Sequence, residues 1–228
     1  NDAVLAAVLD TRGEILLAEG RVADATYHSA CGGKTDSSAS IWNGAPVGHL
    51  SGSTCIAEAQ EWDLSREPLA RRWIDTPLAF EGASSWERAA LSWEKSITRQ
   101  ALASNLGLSY VNRIVINKRG SSGRITDMSF IGPRTVRLTS EYKIRQAFGS
   151  ARSSFFYIRG AYTLRPDGSA EIIPGANLLI KGRGSGHGVG LCQVGTLRRA
   201  RAGEDYRSIL GLYYPGTRIA ANWMVDEN

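Results

Sequence analysis

Five glycines fall within nine residues in the run Gly182-Arg183-Gly184-Ser185-Gly186-His187-Gly188-Val189-Gly190-Leu191-Cys192-Gln193-Val194-Gly195. Glycine at that density permits positive φ and close backbone approach. The run follows a predicted strand and opens a predicted helix, whose first N–H groups have no intrahelical partner and point into the same region. His187 can donate or accept a hydrogen bond there, and Gln193 can do both. Two uses fit these residue types: a polar ligand site, or a tight connector whose histidine caps the helix or fills a polar pocket. Nucleotide binding does not fit. Gly182-x-Gly184-x-x-His187 misses the third glycine of a dinucleotide fingerprint, and no G-K-S/T follows for a P-loop.

A second cluster is Tyr27-His28-Ser29-Ala30-Cys31-Gly32-Gly33. His28 and Cys31 stand three apart, a spacing that suits two ligands of one metal, with His49 and Cys55 the nearby candidates to complete it. The cysteines, Cys31, Cys55 and Cys192, are too few for a disulfide framework and show no CxxC. A Cys31–Cys55 bridge, zinc and free buried thiols all stay open. A Ser29–His187–Asp triad is formally available, but nothing places a serine in a nucleophile elbow.

The elements that must position these residues read as follows. Residues 3–9 are predicted as a buried strand, paired through the turn Thr11-Arg12-Gly13 with a strand over 14–17; Glu14 is then a solvated turn carboxylate. Residues 22–28 are extended. Residues 66–92 show no period and read as a variable insertion. Residues 93–106 are predicted as a helix, with Trp93, Ile97, Ala101, Leu102 and Leu106 on one face, Ser92 as cap and Gly107 as stop. Strands follow over 113–118 and 124–130, joined by Gly120-Ser121-Ser122-Gly123. A strand over 134–138 leads to a helix from Ser140 with Ile144, Ala147 and Phe148 inward. Segments 155–164 and 170–173 bracket the turn Pro166-Asp167-Gly168. A strand over 177–182, two short helices and a strand over 218–225 close the chain. Hairpins without regular βαβ alternation predict an α+β fold of hairpin-rich sheets and short helices.

The 228 residues are 43% hydrophobic, with 27 basic and 22 acidic side chains for a net +5. No run approaches the ~20 apolar residues of a membrane span, and Asn1-Asp2-Ala3 does not open like a signal peptide. A mildly basic surface suits polyanions. No RNP, helix-turn-helix or zinc-finger pattern supports nucleic acid.

The segment 182–195 resembles the signature of the stage II sporulation protein D family, roughly G-x-G-x-G-H-G-V-G, Met or Leu, Ser or Cys, then Q-x-G-A. Thr196 departs from the final alanine. The resemblance continues through Ala202-Gly203, Tyr206, Ile209-Leu210 and Tyr213-Tyr214-Pro215-Gly216-Thr217. Tyr27 to Thr35 with Ile41-Trp42 is similar to the family's Y-H-S-x-C-G-G-x-T motif. Ser122-Gly123-Arg124-Ile125 with Ile144-Arg145 is similar to its middle region. The matches span about 1–65 and 93–225 and imply one such domain over 1–228.

That resemblance implies a peptidoglycan lytic transglycosylase of the bacterial envelope, outside the cytoplasm. It would cleave between N-acetylmuramic acid and N-acetylglucosamine to 1,6-anhydro products, with one glutamic acid as both acid and base. The family also implies the alternative of a non-catalytic wall binder or enhancer of a wall amidase. The family's catalytic G-E-M/V-P segment and its alanine-rich helix do not occur in this sequence. The resemblance places them upstream of Ala3, so either the catalytic residue belongs to a preceding segment or a separate chain, or the protein is a catalytically defective relative. The cleft residues implied here are His187, Gln193, Gly186, Gly188, Ser29, Tyr27 and Tyr213, with Trp42 and Tyr214 as further aromatic surfaces. No cofactor is implied beyond zinc near His28 and Cys31, which some members hold.

Overall fold

The computed structural model describes residues 2–78 and 82–221. Helix α1 (Asp2–Asp10) leads to strands β1 (Ile15–Ala18), β2 (Arg21–Val22) and β3 (Tyr27–His28), then helices α2 (Ser38–Trp42), α3 (Glu67–Asp75) and α4 (Ser85–Leu91). Next come β4 (Ser92–Thr98), α5 (Arg99–Asn105), β5 (Arg113–Arg119), β6 (Ile125–Ile131), β7 (Thr135–Leu138) and α6 (Glu141–Ala147). Strands β8 (Phe156–Ile158), β9 (Thr163–Leu164), β10 (Ala170–Ile172), β11 (Asn177–Arg183) and β12 (Leu191–Cys192) precede α7 (Gln193–Arg201), α8 (Tyr206–Tyr213) and β13 (Arg218–Ala220). The fold is α+β, with antiparallel sheets in the orders β7-β6-β5-β10-β9, β4-β11-β8 and β13-β1-β2, and one parallel pair, β12-β3.

Three apolar clusters organise it. The largest fills the space between the five-stranded sheet, β4-β11-β8 and helices α5 and α6, around Phe130, Phe148 and Phe156. A second lies beneath both motif loops, with Cys31, Cys55, Cys192, Ile209 and Tyr213. The third packs Trp73 and Ile74 of α3 against Phe155 and Tyr157.

Three expectations need correction. Residues 3–9 form part of helix α1 and pair with no strand; three alanines and two leucines are strong helix formers. Its Val4, Leu5, Val8 and Leu9 are exposed, and β1 pairs instead with β2 and β13. Residues 92–98 are strand β4, with Trp93 and Ile97 on its buried face, and only Arg99–Asn105 is helical. Residues four apart share a face in either structure, so these two did not decide the period. Thr98, not Ser92, caps the helix. Residues 66–92 contain two packed helices. The Glu67 carboxylate is 3% exposed and accepts from Arg71 Nε at 2.6 Å and from Arg119 Nε of β5 at 2.7 Å. Ser84 and Glu87 form a reciprocal capping box on α4. Of the strand predicted over 218–225, Arg218–Ala220 is formed, and 222–225 lie outside the described residues.

Candidate functional site

The glycine run begins where β11 passes under Trp93. A side chain at Gly182 would overlap the indole, and the indole Nε1 donates to Gly184 O at 2.8 Å. The chain then lies along residues 26–36. Ala30 and Ser185 exchange backbone hydrogen bonds at 3.0 and 2.8 Å, Asp36 N donates to Gly188 O at 2.8 Å, and Leu191 N to Thr26 O at 3.1 Å. The parallel pairs Leu191↔Tyr27 and Cys192↔His28 complete the seam. The two motifs, some 160 residues apart in sequence, form one surface.

Two of the N–H groups at the start of α7 are already used. Val194 N donates to Ser29 O at 3.0 Å, and Gly195 N to the sulfur of Cys192 at 3.3 Å. This end of the helix holds the seam together.

The third family-like segment locks the other two. Arg124 is fully buried, and its guanidinium donates to Cys31 O at 3.0 Å, Ala30 O at 3.4 Å and Gly186 O at 3.5 Å. Its Nε has no partner among the described residues. Burial pushes this guanidinium's pKa down, while the carboxylates of Glu141 and Asp36 push it up. Asp36, also buried, accepts from the hydroxyl of Ser122 at 2.8 Å and from Ser37 N at 3.0 Å. Gly188 faces Arg124 directly. Its φ is +83°, and a Cβ there would overlap the guanidinium carbon. Neither Arg124 nor Asp36 stood out in the sequence, since charged residues are rarely buried. The only signal was the position of Arg124 after the tight turn Ser122-Gly123.

His187 has both ring nitrogens engaged. Val189 N donates to its Nδ1 at 3.1 Å, so its Nε2 carries the proton and donates to Tyr27 O at 3.0 Å. Burial, with the nearby His28 and Arg124, lowers its pKa to about 4. It is therefore neutral at pH 7, a positioning group with a free ring face. Trp42, 46% exposed, lies against that face with ring centroids 5.4 Å apart. Tyr27 is exposed, Ser29 and Gln193 are half-buried, and all three follow the β12–β3 seam. Tyr213 lies in the interior, its hydroxyl 3.0 Å from Cys55 Sγ, and Tyr214 is buried with its hydroxyl donating to Thr26 O. Gly186 is half-buried beside His28. A cleft of about 310 Å³ opens at His187, bounded by Trp42, Asn43, Glu141, Tyr142 and Arg145. Glu14 is elsewhere. Tyr206 OH donates to it at 2.7 Å and Arg207 at 2.6 Å, and these contacts lower its pKa, so it is held ionised.

His28, Cys31 and Cys192 place one donor atom each within 4.8 Å of one another, all buried. Cys55 is packed in the same buried cluster, its Sγ 3.0 Å from Tyr213 OH. All three cysteines are free thiols, so the bridge Cys31–Cys55 is not formed. His49 is not in the group; its ring faces Asp24 O at 3.1 Å. Backbone N–H groups already donate to two of the sulfurs, from Cys31 N and Gly195 N to Cys192 and from Gly33 N to Cys31. The Cys192 thiol is lowered in pKa despite its burial by the neighbouring Cys31, Cys55 and His28 side chains; burial raises Cys31. His28 Nδ1 lies 3.2 Å from Val189 O, and its Nε2 is buried without a partner among the described residues.

A family model described as a domain of unknown function, DUF8618, matches residues 36–190, more than half of the chain. The chain is 30% identical over 239 aligned residues to a Bacillus subtilis (strain 168) protein named "Amidase enhancer", covering 94% of this chain and 32% of that protein. It is 29% identical to an uncharacterized protein of Brachyspira hyodysenteriae, covering 96% of this chain and 49% of that one. The chain thus spans 32% and 49% of the length of these curated relatives.

Proposed function

The chain belongs to the DUF8618 family, and on that premise we propose that it binds the glycan strands of bacterial peptidoglycan. In this reading it supplies most of the glycan-binding cleft of a cell-wall protein that works outside the cytoplasm. The observation that carries the reading is the seam of residues 26–36 against 184–194, which ends in an open cleft at His187 and Trp42. Exposed aromatic rings beside hydrogen-bonding side chains suit a sugar ring, which has apolar faces and a polar edge. The three ordered motifs resembling the stage II sporulation protein D family support it, as does similarity to a relative named an amidase enhancer.

Two roles follow for the protein at work. Held on glycan, it would present a wall amidase with its substrate. Alternatively it would take part in lytic transglycosis, with the acid supplied from outside the motifs seen here. Glu141, the carboxylate in the cleft lining, accepts from Ser154 N at 3.1 Å and lies 3.7 Å from Arg145. The test is incubation of the 228-residue chain with peptidoglycan stripped of stem peptides, followed by sedimentation and mass spectrometry. Sedimentation without 1,6-anhydromuramic ends supports binding. Anhydro ends make the chain itself catalytic. Failure to sediment overturns the glycan reading.

We also propose that His28, Cys31 and Cys192 hold a zinc ion, with Cys55 packed in the same buried cluster. The buried, unpartnered Nε2 of His28 beside two thiols offers the nitrogen and sulfur donors that zinc takes. The metal would cross-link the site, tying the 27–31 loop to the start of α7. Metal analysis of protein purified without chelator should give close to one equivalent of zinc; less than a tenth of an equivalent removes the idea.

A further inference from the structure

A second cleft, of about 310 Å³, lies where the end of α3 meets α4 and β11, and it shares no lining residue with the cleft at His187. Arg183 of β11 borders it and is 3% exposed. Its Nε donates to Ile74 O at 3.3 Å and its Nη2 to Thr76 O, so one edge of the guanidinium caps the end of α3. The Trp73 ring, 5.2 Å from the guanidinium carbon, fixes its plane. The third nitrogen, Nη1, is buried with no partner among the described residues. Burial lowers the pKa of this group to about 10, so it stays charged at pH 7. Two more cations line the cleft, Lys181 and Arg88, against one described carboxylate, Asp75. Asp75 is already engaged, by Lys181 Nζ at 2.7 Å and by Tyr157 OH at 3.0 Å. Arg88 is exposed and donates from one nitrogen, to Ala83 O.

A buried guanidinium nitrogen without a partner marks a missing polar group. Three positive charges to one negative make that group an anion. The remaining wall is apolar, with Pro77, Leu78 and Leu91, which suits an aliphatic body that inorganic phosphate lacks. We propose that this cleft binds the carboxylate end of a short peptide whose last residue is small and aliphatic, with Arg183, Lys181 and Arg88 pairing with the acid and Leu78 and Leu91 packing on the side chain. The proposal stands apart from the glycan reading, since it uses none of the same residues.

The test is NMR titration of the 228-residue chain with N-acetyl-alanyl-alanine, its C-terminal amide, and inorganic phosphate, each up to ~20 mM. The free acid should shift the amides of residues 74–78 and 181–183 saturably, and the other two probes should bind at least tenfold more weakly. Arg88→Gln and Lys181→Gln should each weaken the acid by roughly tenfold, the scale of one charge-assisted contact. Arg21→Gln, which removes an exposed charge on β2, should change nothing. Arg183→Gln also breaks the cap of α3, so Arg88 and Lys181 carry the test, with thermal midpoints within a few degrees of wild type showing that both variants fold. The proposal is overturned if the free acid gives no saturable shift, if acid and amide bind alike, or if phosphate binds as well as the acid. It is overturned equally if the Arg88 and Lys181 variants both bind like wild type.

Discussion

Gly188→Ala isolates the contact on which the seam depends. The residue sits at φ +83°, where alanine costs about 1–2 kcal/mol. The new methyl would overlap the guanidinium carbon of Arg124, which is fully buried and has no open space to retreat into. Moving it breaks the 3.0 Å bond to Cys31 O. Ala30 O keeps its bond from Ser185 N, and the contact to Gly186 O is already long, so one charge-assisted bond is lost outright. That bond is worth ~1.5–3 kcal/mol. The total is about 3–5 kcal/mol, read by urea unfolding at pH 7. Arg124→Met alone should cost less, about 1–3 kcal/mol, because it orphans Cys31 O but also removes a buried Nε without a partner. The two variants should not add, since a methionine end can yield to the alanine methyl. An additive double mutant, or a Gly188→Ala variant within 0.5 kcal/mol of wild type, would refute the reasoning about this contact.

Other predictions follow from the same geometry. Glu87 accepts from Arg201 and from Ser84, and these bonds bring its pKa from 4.5 to about 2. Its folded pKa lies below its unfolded one, so its contribution is present above pH 4.5 and is lost as pH falls toward 2. A urea-unfolding series across that window should slope downward on acidification, and Glu87→Gln should flatten the slope. Trp73→Phe keeps the buried ring but removes the 2.8 Å donation to Gly32 O, and should cost about 1–3 kcal/mol by chemical denaturation. Trp73→Ala should cost ~3–5 kcal/mol, showing that residues 66–92 are part of the fold. If the zinc proposal holds, chelation should lower the thermal midpoint of wild type and leave that of Cys192→Ser, already metal-free, unchanged.

The strands around the tight turn 120–123, the helix capped by Ser140 and the strand leading into the glycine loop were all legible, because punctuation residues and period agree there. Trp93 and Ile97 misled, since a spacing of four fits a strand face as well as a helix face. The alanine-rich residues 3–9 show how an apolar run without alternation leaves helix and strand undecided. Within the site, His187 and Trp42 were visible as residue types, but the engagement of both imidazole nitrogens by backbone was not. Cys192 could not be assigned to the group at His28, because the two meet across 164 residues of chain. Packing shows that Arg124 and Asp36 are buried between the loops, which nothing in their residue types announces.

The pairing of β12 with β3 has a consequence for how the molecule is made. A contact between Cys192 and His28, like that between Ala220 and Ile15, closes most of the chain into a loop. Such closures carry a large entropic cost and are slow to form. During synthesis the hairpin β5–β6 and the packing of α3 can form while Gly188 is still unmade. Arg124 must then wait, charged and uncovered, for the segment that will bury it. Nascent chains halted before residue 184 should therefore hold a protected sheet and no binding surface, with His28 and Cys31 open to solvent. The cleft is the last part of the molecule to exist.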